Sequence, residues 1–234
     1  MRVVALVPAA GRGVRLGAGL PKALVAVGGV PLLVRAVRGL LGSGSVDHVV
    51  IAVGEPELSR VHEVLLSFDV PIELVTVVAG GTDRTASVRL ALAAALSGPI
   101  AVDAVLVHDA ARAFTPPAMV AAVVAAVRSG AAAVIPVLPV ADTIKQVTAE
   151  HRVVTTVDRS ALRIVQTPQG FSTEVLRRAY ELEVPATDDS GLAEQLGVAV
   201  HTVPGHPYAM KITTPFDLAV AEAVLAAEPS TLML

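Results

Sequence analysis

Five largely apolar runs, separated by stretches of helical period, constrain this chain most. Arg2 to Val7, His48 to Val53, Ile72 to Val78, Val102 to Val107 and Ala132 to Val137 each read as a strand. Val102 to Val107 is continuous in apolar character, as a strand covered on both faces is. Between the runs, apolar residues recur at helical spacing. Leu33, Val37 and Leu40 or Leu41 follow Pro31, a residue suited to a first helical turn. Leu58 to Phe68 makes a second helix, Val88, Leu92 and Leu96 share one face of a third, and Met119, Val123 and Val127 follow Pro116 in a fourth. Strand and helix in alternation predict an α/β protein, a mostly parallel, doubly wound sheet with helices on both faces.

That rhythm breaks from Pro139 to Val165. Thr143 to Val147 and Arg152 to Val157 read as short strands around a polar turn, Thr148 to His151, hence as a hairpin projecting from the sheet. A projecting hairpin with apolar residues needs a partner, and a second subunit is the expected one. The alternative is a hairpin lying back on its own domain. Beyond it, Ser172 caps a helix to Leu182, Asp189 to Leu196 forms another, Val198 to Val203 is a late strand, and Thr214-Pro215-Phe216-Asp217 opens the last helix. With neither an internal repeat nor a linker, residues 1–234 are expected to form one domain, with a dimerisation arm at about 139–165.

The loop after the first run, Pro8 to Lys22, holds four glycines and three cations, Arg12, Arg15 and Lys22, and no acid. Glycine lets backbone N–H groups turn towards a ligand, and cations beside them suit phosphate. Residues 1–46 carry six Arg and Lys and no Asp or Glu, whereas the rest carry twelve against twenty-one. One positive pole in an otherwise acidic protein reads as a phosphate pocket. A formal charge of −3 gives no surplus for nucleic acid. With no cysteine, disulfides, thiolate metal sites and a cysteine nucleophile are excluded. The most apolar uncharged run, Ala113 to Val127, contains two prolines and stops at Arg128, short of a membrane span. Pro8, Gly11 and Arg12 cut short the apolar start that a signal peptide needs, so a cytoplasmic location is expected.

Ligands of open α/β sheets sit beyond the carboxyl ends of the strands. The glycine loop, the Gly80-Gly81 turn and the turn at His108-Asp109 all lie at such ends, so three candidate elements gather at one rim. A dinucleotide fingerprint fails: the third glycine comes at Gly17, one residue late, and no acid precedes Asp47 to hold a ribose. A Walker loop fails because Ala23 follows Lys22. Asp109 is the best metal candidate, since Mg²⁺ is often held by a lone carboxylate with triphosphate oxygens and water; the alternative is a turn or cap aspartate. His108 has no clustered His or Cys partners for zinc. Asp217 reads as a cap. Lys211 is either structural or reaches a substrate phosphate, and Arg159 next to Asp158 reads first as half of an ion pair.

In order, the opening loop, Gly80-Gly81 to Ser87-Val88, His108-Asp109-Ala110-Ala111-Arg112, Asp142-Thr143, Thr156-Val157-Asp158-Arg159, Thr167-Pro168-Gln169, Thr187-Asp188 and Lys211 resemble the 2-C-methyl-D-erythritol 4-phosphate cytidylyltransferases. The resemblance spans essentially the whole chain. It implies a Rossmann-like nucleotidyltransferase fold, and an enzyme that moves a cytidylyl group from CTP to a polyol phosphate in non-mevalonate isoprenoid biosynthesis. Ala9, Ala10 and Gly11 would line the CTP site, Arg15 and Lys22 would hold the triphosphate, and Gly81, Thr82 and Ser87 would meet the cytosine and ribose. Asp109 would hold Mg²⁺, with Ala110 and Arg112 nearby. Thr143, Arg159, Thr167, Thr187 and Lys211 would bind the acceptor, with Thr143 and Arg159 on an arm reaching into the neighbouring subunit of a homodimer. The chain departs from the family pattern at Thr82, where an acid is common, at Ala113-Phe114, where proline often follows, and at Ala209 and Thr214, where Asn and Arg are frequent. A cytidylyltransferase for another polyol phosphate, such as ribitol 5-phosphate, and a CTP-sensing module without turnover are the rival readings.

Overall fold

Val3–Pro8 forms the first strand, β1, and Pro8 closes it, having no N–H to give a ladder. The computed structural model describes residues 1–227 except 12, 14, 15, 18, 183 and 185. A 3₁₀ turn at Lys22–Leu24 and two minimal strands, β2 (Ala26–Val27) and β3 (Val30–Pro31), lead into α1 (Leu32–Gly42). Then come β4 (His48–Val53), α2 (Leu58–Ser67), β5 (Val75–Ala79) and α3 (Arg84–Leu96). The central part is β6 (Ala104–Val107), α4 (Pro117–Arg128) and β7 (Ala133–Pro139). The hairpin β8 (Ile144–Val147) and β9 (Val153–Val157) follows, then β10 (Arg163–Val165) and β11 (Gln169–Ser172). The chain continues through α5 (Thr173–Glu181), α6 (Asp189–Gln195), β12 (Val200–Pro204) and α7 (Pro215–Ala227).

The eight-stranded sheet runs β10-β7-β11-β6-β1-β4-β5, with β12 also on β7. The pairs β1–β4, β1–β6, β4–β5 and β7–β12 are parallel. β11 is antiparallel to both β6 and β7, and β10 to β7, so two strands run against an otherwise parallel sheet. β10 and β11 follow one another along one edge of β7, and β12 takes the other. The doubly wound α/β expectation holds, with this reversed pair added.

Successive side chains of a strand point to opposite faces, and β1 feeds both layers. Val3, Ala5 and Val7 pack with α1, α2 and α4 through Leu33, Val37, Leu65 and Val123. Val4 and Leu6 pack on the other face with α3, α5 and α6 through Val88, Leu92, Leu176 and Leu192. Val3 to Val7 are all at most 2% exposed. Burying a Val or Leu side chain contributes about 1.5–3 kcal/mol, several times a surface ion pair, so this central strand is fixed by packing. A third apolar cluster joins Val27, Leu32, Phe114 and Ile212 to Ala221 of α7. Phe114, where the family pattern often differs, lies here under the Arg35 guanidinium, 5.0 Å from the ring centroid.

β8 and β9 form a separate two-stranded sheet, and Val147, Val153 and Val154 on it are 51, 61 and 59% exposed. Among the described residues, no helix is long and apolar enough to cross a membrane.

Candidate active site

β1 lies between β4 and β6, and all three run in one direction. The order of the strands therefore turns back at β1, the kind of point beyond which α/β sheets bind ligands. The loop after β1 and the turns after β5 and β6 meet there around a cleft of about 330 Å³. Ala9, Ala10, Gly11, Lys22, Gly81, Thr82, Ser87, Asp109, Ala110 and Lys211 all line it. Ten of the residues singled out from the sequence thus share one cavity. Arg15 lies outside the described residues.

Two glycines shape the walls. Gly13 has φ +68, and a Cβ on it would fall 3.0 Å from Lys22 Cα, while Lys22 N donates to Gly11 O at 3.1 Å. The loop closes on itself at Lys22 only because Gly13 has no side chain. A Cβ on Gly81 would lie 2.3 Å from Ala86 Cβ, so the first turn of α3 can sit directly against the β5 turn. Gly81 N donates to Ser87 Oγ at 3.1 Å, and Asp83 caps α3 by accepting from Ala86 N at 2.8 Å. Ser87 is therefore held in place by the turn it faces.

Asp109 is the electrostatic centre. Its Oδ1 accepts from Arg84 Nε at 3.2 Å and its Oδ2 pairs with Lys211 Nζ at 2.7 Å. Burial alone would raise its carboxyl; Arg84 and Lys211 outweigh that and hold it well below the usual carboxylate range. Asp109 N donates to Thr167 Oγ1 at 3.0 Å, which ties the β6 turn to the segment before β11. Arg84 grips buried Asp189 through both terminal nitrogens, at 3.0 and 2.6 Å, and the Tyr180 hydroxyl donates to Asp189 Oδ1. Burial lowers the Arg84 pKa and Asp189 more than restores it, so the guanidinium stays charged. Arg84, Asp189 and Tyr180 escaped the sequence reading because Arg84 lies 105 residues from Asp189 in the chain. The one available signal was the position of Arg84, directly after the Thr82-Asp83 cap.

A second cavity, of about 450 Å³, opens on the other side of Asp109 and is lined by Arg112, Thr167, Thr187 and Lys211 as well as Arg84. The Arg112 guanidinium is committed to backbone, donating to Ala209 O at 2.7 Å and Val165 O at 3.3 Å. Thr143 and Arg159 lie outside both cavities, exposed at the base of the hairpin. Arg159 donates to Ala141 O, and Asp158 caps the following 3₁₀ turn through Ser160 N, in place of the ion pair first read there. Thr214 and Asp217 form a reciprocal cap on α7: Asp217 N donates to Thr214 Oγ1 at 3.2 Å, and Asp217 Oδ2 accepts from Thr213 N and Thr214 N, each at 2.8 Å. Ala209 is fully buried, where its carbonyl receives Arg112. His108 is fully buried with Nδ1 3.1 Å from Thr167 Oγ1, and burial brings its pKa down to about 4.

Among the described residues, no group of three or more His, Cys, Asp or Glu surrounds Asp109. Among the described residues each oxygen of Asp109 has one ion-pair partner, which leaves it further lone pairs. One such carboxylate at the edge of a cationic cleft suits Mg²⁺ that is chelated mainly by phosphate and water.

A glycine loop at the switch point of a mostly parallel sheet, with lysines and a carboxylate at one rim, suits an α/β nucleotidyltransferase, and the family match makes the chain one, an enzyme. The family model described as 2-C-methyl-D-erythritol 4-phosphate cytidylyltransferase matches residues 3–227, and the chain belongs to that family. A protein of that description from Saccharopolyspora erythraea is 63% identical over 227 residues, covering 97% of this chain and 100% of the relative. One from Nocardia farcinica is 54% identical, covering 95 and 94%. Among solved structures, a Thermus thermophilus cytidylyltransferase of the same description is 36% identical with TM-score 0.77, covering 97% of this chain and 100% of its own. A 4-diphosphocytidyl-2C-methyl-D-erythritol synthase from Anaerococcus prevotii is 27% identical with TM-score 0.82, covering 96 and 98%.

Proposed function

We propose that the chain transfers a cytidylyl group from CTP to 2-C-methyl-D-erythritol 4-phosphate, releasing pyrophosphate, as a step of isoprenoid biosynthesis in the cytoplasm. The observation that carries this is the joint placement of Lys22, Asp109 and Lys211 around one cleft in a chain of this family. The acceptor's phosphate oxygen attacks the α-phosphorus of CTP in line, a new P–O bond forms, and the bond to the leaving pyrophosphate breaks. A phosphate monoester is already anionic near neutral pH, so no side-chain nucleophile and little general base are needed. The rate comes from positioning and charge stabilisation. Ala9, Ala10 and Gly11 present backbone to the nucleotide, while Gly81, Thr82 and Ser87 receive base and ribose. Lys22, together with Arg15, neutralises the triphosphate. Lys211 leaves Asp109 for the acceptor phosphate, helped by Thr167, Thr187 and the arm residues Thr143 and Arg159. Ala110 and Arg112 hold the Asp109 turn in place.

Asp109 is the residue that would hold Mg²⁺. Bound there, the ion would supply charge neutralisation of the triphosphate. The arm, about residues 139–165, joins two chains as a homodimer, which its exposed valines favour. Pyrophosphate release, measured with CTP, UTP, ATP and GTP against several polyol phosphates, tests the reading. Release is expected with CTP, methylerythritol phosphate and Mg²⁺ together. Equal release with ribitol 5-phosphate would move the assignment to the other polyol, and CTP binding without release would make the chain a sensor.

A further inference from the structure

Asp189 is 1% exposed and lines neither cavity, yet its carboxyl group meets a guanidinium at both oxygens. So buried a carboxylate is costly unless it is paired and hydrogen-bonded. Its partners are Arg84, the first residue of α3, and Tyr180 of α5, while Asp189 itself opens α6. Three helices therefore converge on one guanidinium. Beyond Asp189, the guanidinium has one further side-chain partner among the described residues: its Nε meets Asp109 Oδ1 at 3.2 Å.

Guanidinium is planar, with its N–H groups in a rigid fork. Held at both terminal nitrogens, the plane is fixed, and with it the direction of the Nε–H. Asp109 is thereby held by one oxygen, and its other oxygen is left towards Lys211 and the cleft. Arginine and carboxylate prefer a two-oxygen, fork-to-fork pair. Without the charge of Asp189, the fork of Arg84 would be free to take both oxygens of Asp109. Tyr180 adds a hydroxyl to Asp189 Oδ1, and it is 5% exposed among the residues packed against the sheet.

We propose that Asp189 and Tyr180 are positioning residues, which hold Arg84 so that it fixes one oxygen of Asp109 and leaves the other for a divalent cation chelated by a nucleoside triphosphate. The inference rests on the reading of Asp109 given above. It is tested in the full-length protein with Asp189→Asn, which keeps the shape and removes the charge, and with Tyr180→Phe, which keeps the ring. Binding of Mn²⁺ with a non-hydrolysable CTP analogue, followed by the paramagnetic resonance of the bound ion, is the readout, with melting temperature measured alongside. Partners that orient a metal ligand typically change metal affinity or activity by roughly 10–100-fold. A loss of Mn²⁺ affinity in that range is expected for Asp189→Asn, a smaller loss in the same direction for Tyr180→Phe, and an unchanged KM for the acceptor in both. Variants that melt earlier but bind Mn²⁺ as tightly as the parent would reduce the network to an ordinary buried ion pair. If Asp189→Asn does not fold, Tyr180→Phe alone decides. A parent protein that releases no pyrophosphate sinks the functional reading and this inference together, whereas an active parent with unaltered variants sinks only the inference.

Discussion

Lys22 reaches the cleft from a 3₁₀ turn whose approach depends on Gly13, so its place is set by backbone rather than by a long flexible stem alone. Removing one preorganised charge contact of this kind costs roughly 10²–10³ in turnover. Lys22→Ala is therefore expected to lower kcat by roughly 10²-fold or more in the pyrophosphate assay; a rate close to that of the parent would take Lys22 out of the mechanism. Lys22, Asp109 and Lys211 were legible in the sequence because each sits at a local landmark: a glycine loop, the end of an apolar strand, an isolated cation before a helix. Arg84 and Asp189 are 105 residues apart, and no local pattern links them. Only the folded sheet brings α3 and α6 together. Arg112 shows the converse: it stands beside Asp109 in the chain, yet it spends its charge on the carbonyls of Ala209 and Val165.

Among the elements, α7 is fastened by its first turn. Burial pushes the Asp217 carboxyl up, but hydrogen bonds from Thr213 and Thr214 prevail and bring it down to about 2. A carboxylate depressed on folding stabilises above its unfolded value of about 3.9 and loses that contribution as pH falls through the folded value. Denaturant melts are therefore expected to show stability falling between about pH 4 and about pH 2 in the parent, and falling less steeply in Asp217→Asn, where Asp109 still loses its own contribution. Asp217→Ala is expected to cost about 1 kcal/mol near neutral pH, as loss of a cap does. The same elements separate what could be read from what could not. β4 begins and ends where its apolar run does, and the hairpin falls within one residue of its pattern. β11 was missed because Gln169-Gly170-Phe171-Ser172 has no β-branched residue. Its glycine answers a contact from outside the strand: a Cβ on Gly170 would lie 2.6 Å from Val123 Cγ1 of α4. β2 and β3 are too short to produce a period.

For the whole molecule, the proposed arm makes activity a property of two chains. Lys22→Ala and Arg159→Ala proteins, each impaired alone, are expected to recover activity when unfolded and refolded as a mixture, because a mixed dimer restores one site with both residues. Absence of recovery, in samples that sediment as dimers, would confine Arg159 to its own subunit. A different consequence follows from β1, an interior strand of the sheet that comes before both of its neighbours in the chain. Its two neighbours end at Val53 and Val107, so β1 gains its second flanking strand only once the later of these has been synthesised. A nascent chain shorter than that carries the nucleotide motif in its letters but still lacks the Asp109 wall of the cleft.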